Sequence, residues 1–335
     1  MKNKRIVIYV FLILTAFFLI IVDLGMGSSA LNIKDIFNYF FNRNLISDQQ
    51  VTLLSTFRSP RVLTACLVGS ALGVGGLLMQ SFFRNPLAGP YVLGIGSGAS
   101  LGVSLFIMGG SLGLFLSTSN FGIVTFGFLG AFSVLLCIGL LSFRFKSNIS
   151  VLIIGLMFSY FTSSIVSLMQ YWSHPELVKQ FAVWGMGTYT DVEYTDLWIL
   201  ATCIGLGLIL AWSQSLILNA FYLSNFEVEA LGFSIKKSRW IIFTSVALLV
   251  ASSTAFCGPV AFLGMAIPHF ARLAFRNSDH RFLIPQCIIL GIVFSLCFDI
   301  LSQNPWSKSP IPLNTISSFL GAPVVVYLLW KRKSL

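Results

Sequence analysis

Side chains that could do chemistry are sparse in this sequence, and their positions exclude most catalysis. Of 335 residues, 21 are Lys or Arg, 11 are Asp or Glu and three are His. His174 precedes Pro175-Glu176, His269 precedes Phe270 and His280 precedes Arg281. None belongs to HExxH, the spacing that sets two imidazoles on one helix face for zinc. No GxSxG elbow presents a serine nucleophile. A phosphate-cradling loop needs GxxxxGK, and no Gly-Lys pair occurs anywhere. Gly96-Ser97-Gly98 reads as a turn at a helix start rather than an oxyanion site. Cys66, Cys137, Cys203, Cys257, Cys287 and Cys297 all fall in apolar stretches with no CxxC pair. Small buried hydrophobes explain them, and they offer no disulfide or metal framework. The expectation is a chain with no catalytic residue, metal or cofactor of its own.

Ion-coupled transport needs ionisable groups at mid-depth in the membrane. Here Asp23 and Asp299 stand near the outer ends of apolar runs, and His269 near the inner end of a short one. Energy supplied by another subunit fits this pattern. A secondary carrier with ion sites built from carbonyls and hydroxyls is the alternative. An intramembrane enzyme or scaffold is a further one.

The elements that must position these groups follow from composition. The chain is 56% hydrophobic and 10% charged, against roughly 25% charged in a soluble domain. Lipid is therefore the solvent for much of the surface. Apolar segments at 6–25, 62–82, 91–109, 121–142, 150–171, 196–215, 240–257, 259–275, 282–303 and 312–330 predict an all-α membrane protein with about ten spans. They form one transmembrane domain over residues 1–335. The segment 259–275 is short and holds Pro259, Pro268 and His269, so it reads as a half-helix buried in the bundle. Met1-Lys2-Asn3-Lys4-Arg5 precedes a long apolar run, read as a retained first span rather than a cleaved signal.

Ten spans put both termini on one side. If that side is cytoplasmic, inner segments hold fifteen of the basic residues and outer segments six: Lys34, Arg43, Arg58, Arg61, Lys179 and Lys308. This is the positive-inside bias of a multi-pass protein of a bacterial inner membrane. The net charge of +10 is thus assigned to orientation and lipid headgroups, not to nucleic acid. Two connecting segments are long. The outer one, 26–61, carries an amphipathic stretch at Ile33, Ile36, Phe37, Phe40 and Phe41, expected to lie on the surface. The inner one spans 216–239. Gly69-x3-Gly73 and Gly98-x3-Gly102 are small-residue patterns that let helices approach closely.

A set of longer motifs carries a family resemblance. Arg58-Ser59-Pro60-Arg61 leads into Leu67-Val68-Gly69-Ser70-Ala71-Leu72-Gly73. Met79-Gln80 and Arg84-Asn85-Pro86-Leu87-Ala88-Gly89-Pro90 follow, then Leu93-Gly94-Ile95. Gly258-Pro259-Val260-Ala261-Phe262-Leu263-Gly264, Ile267-Pro268-His269 with Arg272, Asp279-His280-Arg281 with Pro285, and Gly321-Ala322-Pro323 complete it. From about residue 50 onward the chain resembles the FecCD family of permeases, transmembrane subunits of ABC importers for ferric siderophores, haem and vitamin B12. The resemblance implies a homodimer with the path on its two-fold axis. It also implies two cytoplasmic ATPase subunits that bind ATP, an external substrate-binding protein and a metal-chelate substrate.

It further implies roles for residues. Arg58 and Arg61 would face carboxylates of the binding protein, a task that suits the planar guanidinium fork. A third docking arginine of the family is Gln303 here, with Lys308 a candidate replacement. Phe226, Glu227, Glu229, Ala230, Leu231 and Gly232 resemble the coupling helices that enter a cleft of the ATPase, Gly232 acting as the helix stop. Met157, Ser159, Tyr160, Ser163 and Ser167 would wall the path. The residues themselves suggest structural work for Arg84, Asn85, Pro86, Pro268, His269 and Arg272. Pro86 would stop a helix, and Arg84 would cap its carbonyl end. Asp299 is expected to pair locally.

Overall fold

The computed structural model describes residues 2–27, 31–109, 120–144, 148–221, 223, 225–303 and 310–333. These are helical with no strand among them. In chain order the helices are α1 (Lys2–Gly25), α2 (Ile33–Phe41), α3 (Asp48–Thr52), α4 (Ser59–Phe82), α5 (Ile95–Gly109), α6 (Asn120–Arg144), α7 (Asn148–Trp172) and α8 (Pro175–Met186). There follow α9 (Tyr194–Ser213), α10 (Ser215–Ala220), α11 (Asn225–Ala230), α12 (Ile235–Val246), α13 (Ser252–Cys257), α14 (Leu263–Phe275), α15 (His280–Ser302) and α16 (Leu313–Lys333).

Each of the ten apolar segments is mostly helical. Seven helical runs of the described residues are long and apolar enough to cross a bilayer: Arg5–Gly25, Asp48–Phe82, Asn120–Leu141, Ser150–Trp172, Tyr194–Ser213, Ile235–Cys257 and His280–Ser302. The segments at 91–109 and 259–275 are cut short by their starts. Pro90 opens a separate 3-10 turn that ends at Gly94 with φ +77°, and Phe262 has φ +66° just before α14. The 13 residues of α14 rise roughly 20 Å, less than the ~30 Å of a hydrocarbon core.

The second span is longer than expected. A capping box at Ser47, closed by Gln50, starts a helix that runs without a break through Phe82. Residues 48–58, read from sequence as outer connecting segment, belong to it. A π-helical turn at Leu53–Arg58 precedes Pro60, which lacks an N–H and would crowd the carbonyl four residues back in a regular α-helix. The wider turn admits it. α8 was not expected; Pro175 at its first position and Glu176 in its first turn are the sequence signal that marks it.

α4 is the centre of the bundle, buried at nearly every position from Val68 to Phe83. Its glycines allow backbone contact. A Cβ on Gly69 would strike the carbonyl of Gly291, and one on Gly73 would come 2.8 Å from the carbonyl of Cys287. Gly98 and Gly102 likewise abut Gly130 and Phe126. Both small-residue patterns thus act as expected, and dispersion at this short range holds the helices where lipid offers no hydrophobic drive.

Hydrogen bonds set the helix directions. Tyr9 donates to the Phe282 carbonyl at 3.4 Å, joining the starts of α1 and α15, and Arg5 donates to the carbonyl of Arg276, the cap that ends α14, at 3.3 Å. Asp23 and Gln303 join their ends, so α1 and α15 run parallel. Arg61 at the start of α4 meets Asp299 near the end of α15, so these two are antiparallel. The Arg61 end is the one the charge pattern places outside; the His280 end is the one it places inside.

Candidate functional site

At the outer end, Arg61 forms a bidentate pair with Asp299, Nε to Oδ2 and Nη2 to Oδ1, both 2.8 Å. This fork-on-carboxylate geometry is the strong form of the interaction. Arg58 donates to the Leu24 carbonyl at 2.7 Å and is 7% exposed. Gln303, standing where the family's third arginine was expected, donates to Asp23. The outer ends of α1, α4 and α15 are therefore tied together. Both arginines are turned inward rather than presented outward, Arg61 onto the Asp299 carboxylate and Arg58 onto the Leu24 carbonyl. Arg61 keeps 18% of its side chain exposed. Asp299 does pair locally, with Arg61. Lys308 lies outside the described residues.

At the inner end, α4 closes in a Schellman motif. Asn85 N–H reaches the Gln80 carbonyl at 3.1 Å and Arg84 N–H the Ser81 carbonyl at 3.3 Å, with Arg84 at φ +50° in the left-handed position. The expected cap is thus made by backbone. The Arg84 guanidinium goes elsewhere, to the Leu223 carbonyl at 2.7 Å. Asn85 Oδ1 accepts from the Leu87 N–H at 3.0 Å. Pro86 offers its carbonyl to His269 Nε2 at 3.1 Å. Arg272 donates to Gln80 Oε1 at 2.8 Å, and Gln80 donates on to the Met265 carbonyl at 2.9 Å. Pro268 is buried inside α14.

The inner segment is a pair of short helices, α10 and α11, as its sequence implied. α11 ends in a second Schellman motif: Gly232 N–H to the Glu229 carbonyl at 2.9 Å and Phe233 N–H to the Val228 carbonyl at 3.3 Å. Gly232 has φ +84°, so it is the stop it was expected to be. Glu227, Glu229, Ala230 and Leu231 are exposed, Leu231 to 60%, while Val228 is buried. Phe226 lies in the helix.

Residues that the sequence placed in the inner segment and in the Asp279-His280-Arg281 motif, without a contact of their own, complete this end. Asn219 of α10 donates to Asp279 Oδ1 at 2.8 Å. Its Oδ1 accepts from His280 N–H at 2.9 Å and lies 2.6 Å from His280 Nδ1. His280 Nε2 is 2.6 Å from Ser81 Oγ. Asp279, the N-cap of α15, also accepts from Arg281, at 2.8 Å from Nη2. Those donations hold its carboxyl well below the usual carboxylate range. The only sequence signals were the Asp279-His280-Arg281 motif and an Asn among apolar residues of the inner segment.

On α7, Met157, Tyr160, Ser163 and Ser167 line an exposed stripe and Ser159 is half-buried. Ser167 donates to the Ser163 carbonyl at 2.9 Å and Ser159 to that of Gly155 at 3.0 Å, so these hydroxyls are satisfied within their own helix. Among the described residues no group of three His, Cys, Asp or Glu could hold a metal ion.

Comparison with known proteins adds a family to this geometry. The profile of the FecCD transport family matches residues 13–331. The vitamin B12 import system permease protein BtuC of Photorhabdus laumondii is 30% identical over 319 residues, covering 95% of this chain and 91% of that one. The molybdate import system permease protein MolB of Haemophilus influenzae is 30% identical over 323 residues, 93% and 92% of the two chains. The hemin transport system permease protein HmuU of Yersinia pestis is 29% identical over 320 residues, 94% and 93%. Among solved structures, an inward-facing metal-chelate type ABC transporter superposes with a TM-score of 0.85 at 29% identity, covering 97% of this chain and 99% of that one.

Proposed function

This chain belongs to the FecCD transport family and is an ABC-importer permease of that type; from that premise we propose that it carries a metal chelate inward through a homodimer in a bacterial inner membrane. Ferric siderophore is the first cargo class, with haem and cobalamin next. About ten segments cross the bilayer, α5, α16 and α14 with the non-helical stretch 258–262 before it joining the seven long helices, and both termini are cytoplasmic. Two ATPase subunits bind and hydrolyse ATP below. An external binding protein delivers cargo above. The exposed stripe of α7 walls the path, where hydroxyls already bonded to their own helix and flexible Met side chains offer little to trap a large ligand.

The observation that carries this reading is the inner α10–α11 element. It presents exposed Glu227, Glu229 and Leu231 at its tip while its root is bonded to α4 and α15. A partner that moved the tip would move the core of the bundle. Docking above falls to Arg61, whose residual exposure lets an external carboxylate approach beside Asp299; Arg58 supports that site from within.

The test is reconstitution in proteoliposomes with the cognate ATPase and binding protein. Labelled ferric siderophore, hemin, cyanocobalamin and molybdate, the last prompted by the MolB relative, are offered in competition. ATP-dependent uptake of one chelate is expected. Uptake that follows an ion gradient with the ATPase omitted would instead establish a secondary carrier.

A further inference from the structure

We propose that Asn219 is a positioning residue: it latches α10 to the inner ends of α4 and α15, so that motion of the 215–232 segment reaches both helices at once. The proposal rests on the ABC-importer reading and deepens it by naming the linkage. Its basis is the direction of the hydrogen bonds. The backbone N–H of His280 points at one atom of the Asn219 amide. Only the oxygen can accept it, which fixes the amide orientation and aims the NH2 at Asp279. The same oxygen faces Nδ1 of His280, so Nδ1 carries the proton. In the neutral ring Nε2 is then an acceptor, and Ser81 donates to it. A single directed chain therefore runs from Ser81 of α4, through His280 of α15, to Asn219 of α10 and back to the α15 cap at Asp279.

Geometry makes this chain a transmission rather than a local cap. The segment is gripped at two points on its root, Asn219 and the Leu223 carbonyl held by Arg84. Beyond them the tip at 229–232 is exposed. α4 and α15, the helices gripped, meet backbone to backbone at Gly69 and Gly291, where there is no side chain to yield. Force applied to the tip is thus delivered to a stiff pair of helices through a side-chain amide that accepts from His280 and donates to Asp279 at once. Asp at 219 would set a carboxylate against Asp279, and Leu would remove every bond.

The experiment compares wild type, Asn219→Leu, Asn219→Asp and Ser81→Ala, each purified with the ATPase partner. Two readouts are taken: ATP consumed per cargo moved by unlabelled protein, using whichever of the four labelled cargos the wild type imports, and, in separate labelled samples, a distance between spin labels on keto amino acids installed at positions 231 and 278, with and without ATP. In wild type the two labels should hold a constant separation on ATP addition. Asn219→Leu should make that separation nucleotide-dependent and raise ATP per cargo about tenfold; Ser81→Ala, which loses one bond, should raise it about threefold. Asn219→Asp should fall between them. A merely structural role would lower assembly, hydrolysis and uptake in proportion and leave the ratio unmoved; that result, or wild-type behaviour of all three variants, overturns the latch. Failure of the wild-type chain to assemble with any ATPase overturns the functional reading and the latch with it.

Discussion

The two ends of the α4–α15 pair are both crosslinked by polar side chains, yet by different chemistry. The outer end is joined charge to charge, Arg61 on Asp299, with α1 tied in through Asp23 and Leu24. The inner α4–α15 link itself is made by neutral groups, a serine, an imidazole and an amide, with Asp279, Arg281 and Arg84 at its rim and Arg272 beside it on Gln80. Breaking a buried ion pair strands a charge, while a neutral hydrogen bond can be exchanged for another at little net cost. The difference describes a fixed point outside and a remakeable joint inside. That is the arrangement a lever needs if force enters from the cytoplasmic side.

Three measurements break or sharpen this contrast. The largest effect belongs to Asp299→Ala, which removes both acceptors of the bidentate Arg61 guanidinium in a mostly buried site. A loss of about 3 kcal/mol is expected, read as a lowered thermal midpoint in detergent, with part of it recovered in the Arg61→Leu, Asp299→Leu double variant. A shift no greater than that of an exposed pair would remove the fixed point. Arg84→Ala comes next. It gives up the bond to the Leu223 carbonyl but keeps the backbone cap of α4, so about 1 kcal/mol is expected. The readout is faster proteolysis between residues 223 and 232 with the midpoint of the bundle unchanged. Equal loss of protection throughout the chain would mean that the inner joint is not separable from the core.

The smallest effect is that of pH. Arg281 holds the Asp279 carboxyl below the ordinary range. A carboxyl whose folded value is depressed gives its full stabilisation above the unfolded value, roughly 4, and loses it as pH falls through the folded one. Hydrogen-exchange protection of α10 should therefore be level between about pH 8 and pH 5 and weaken only in stronger acid. A decline already near neutrality would show that another group controls the joint.

Much of the scaffold could be read before any coordinates. Gly69 and Gly73 were legible as contact points because small-residue spacing is a local signal, and the structure sets both against α15. The α10–α11 pair and its stop at Gly232 were legible through resemblance and glycine's left-handed conformation. α8 was passed over because a twelve-residue amphipathic helix between two apolar runs leaves only a Pro and a Glu as its mark. The unbroken helix from Asp48 to Phe82 exceeds the apolar segment 62–82 because a capped polar turn starts it at Ser47 and a π-helical turn accommodates Pro60.

Hydropathy, charge distribution and glycine spacing are written in neighbouring residues. From them alone came the helical membrane class, the apolar segments, the uneven distribution of basic residues between them and the lack of a GxxxxGK loop. Which partner each polar side chain takes was decided only by the folded bundle. Arg61 and Asp299 are 238 positions apart, and Asn219 and His280 are 61 apart. A hydrogen bond depends on distance and angle between groups that the chain brings together only after its helices have packed. The inward turn of the arginines and the amide latch are therefore properties of the tertiary structure, not of any stretch of sequence.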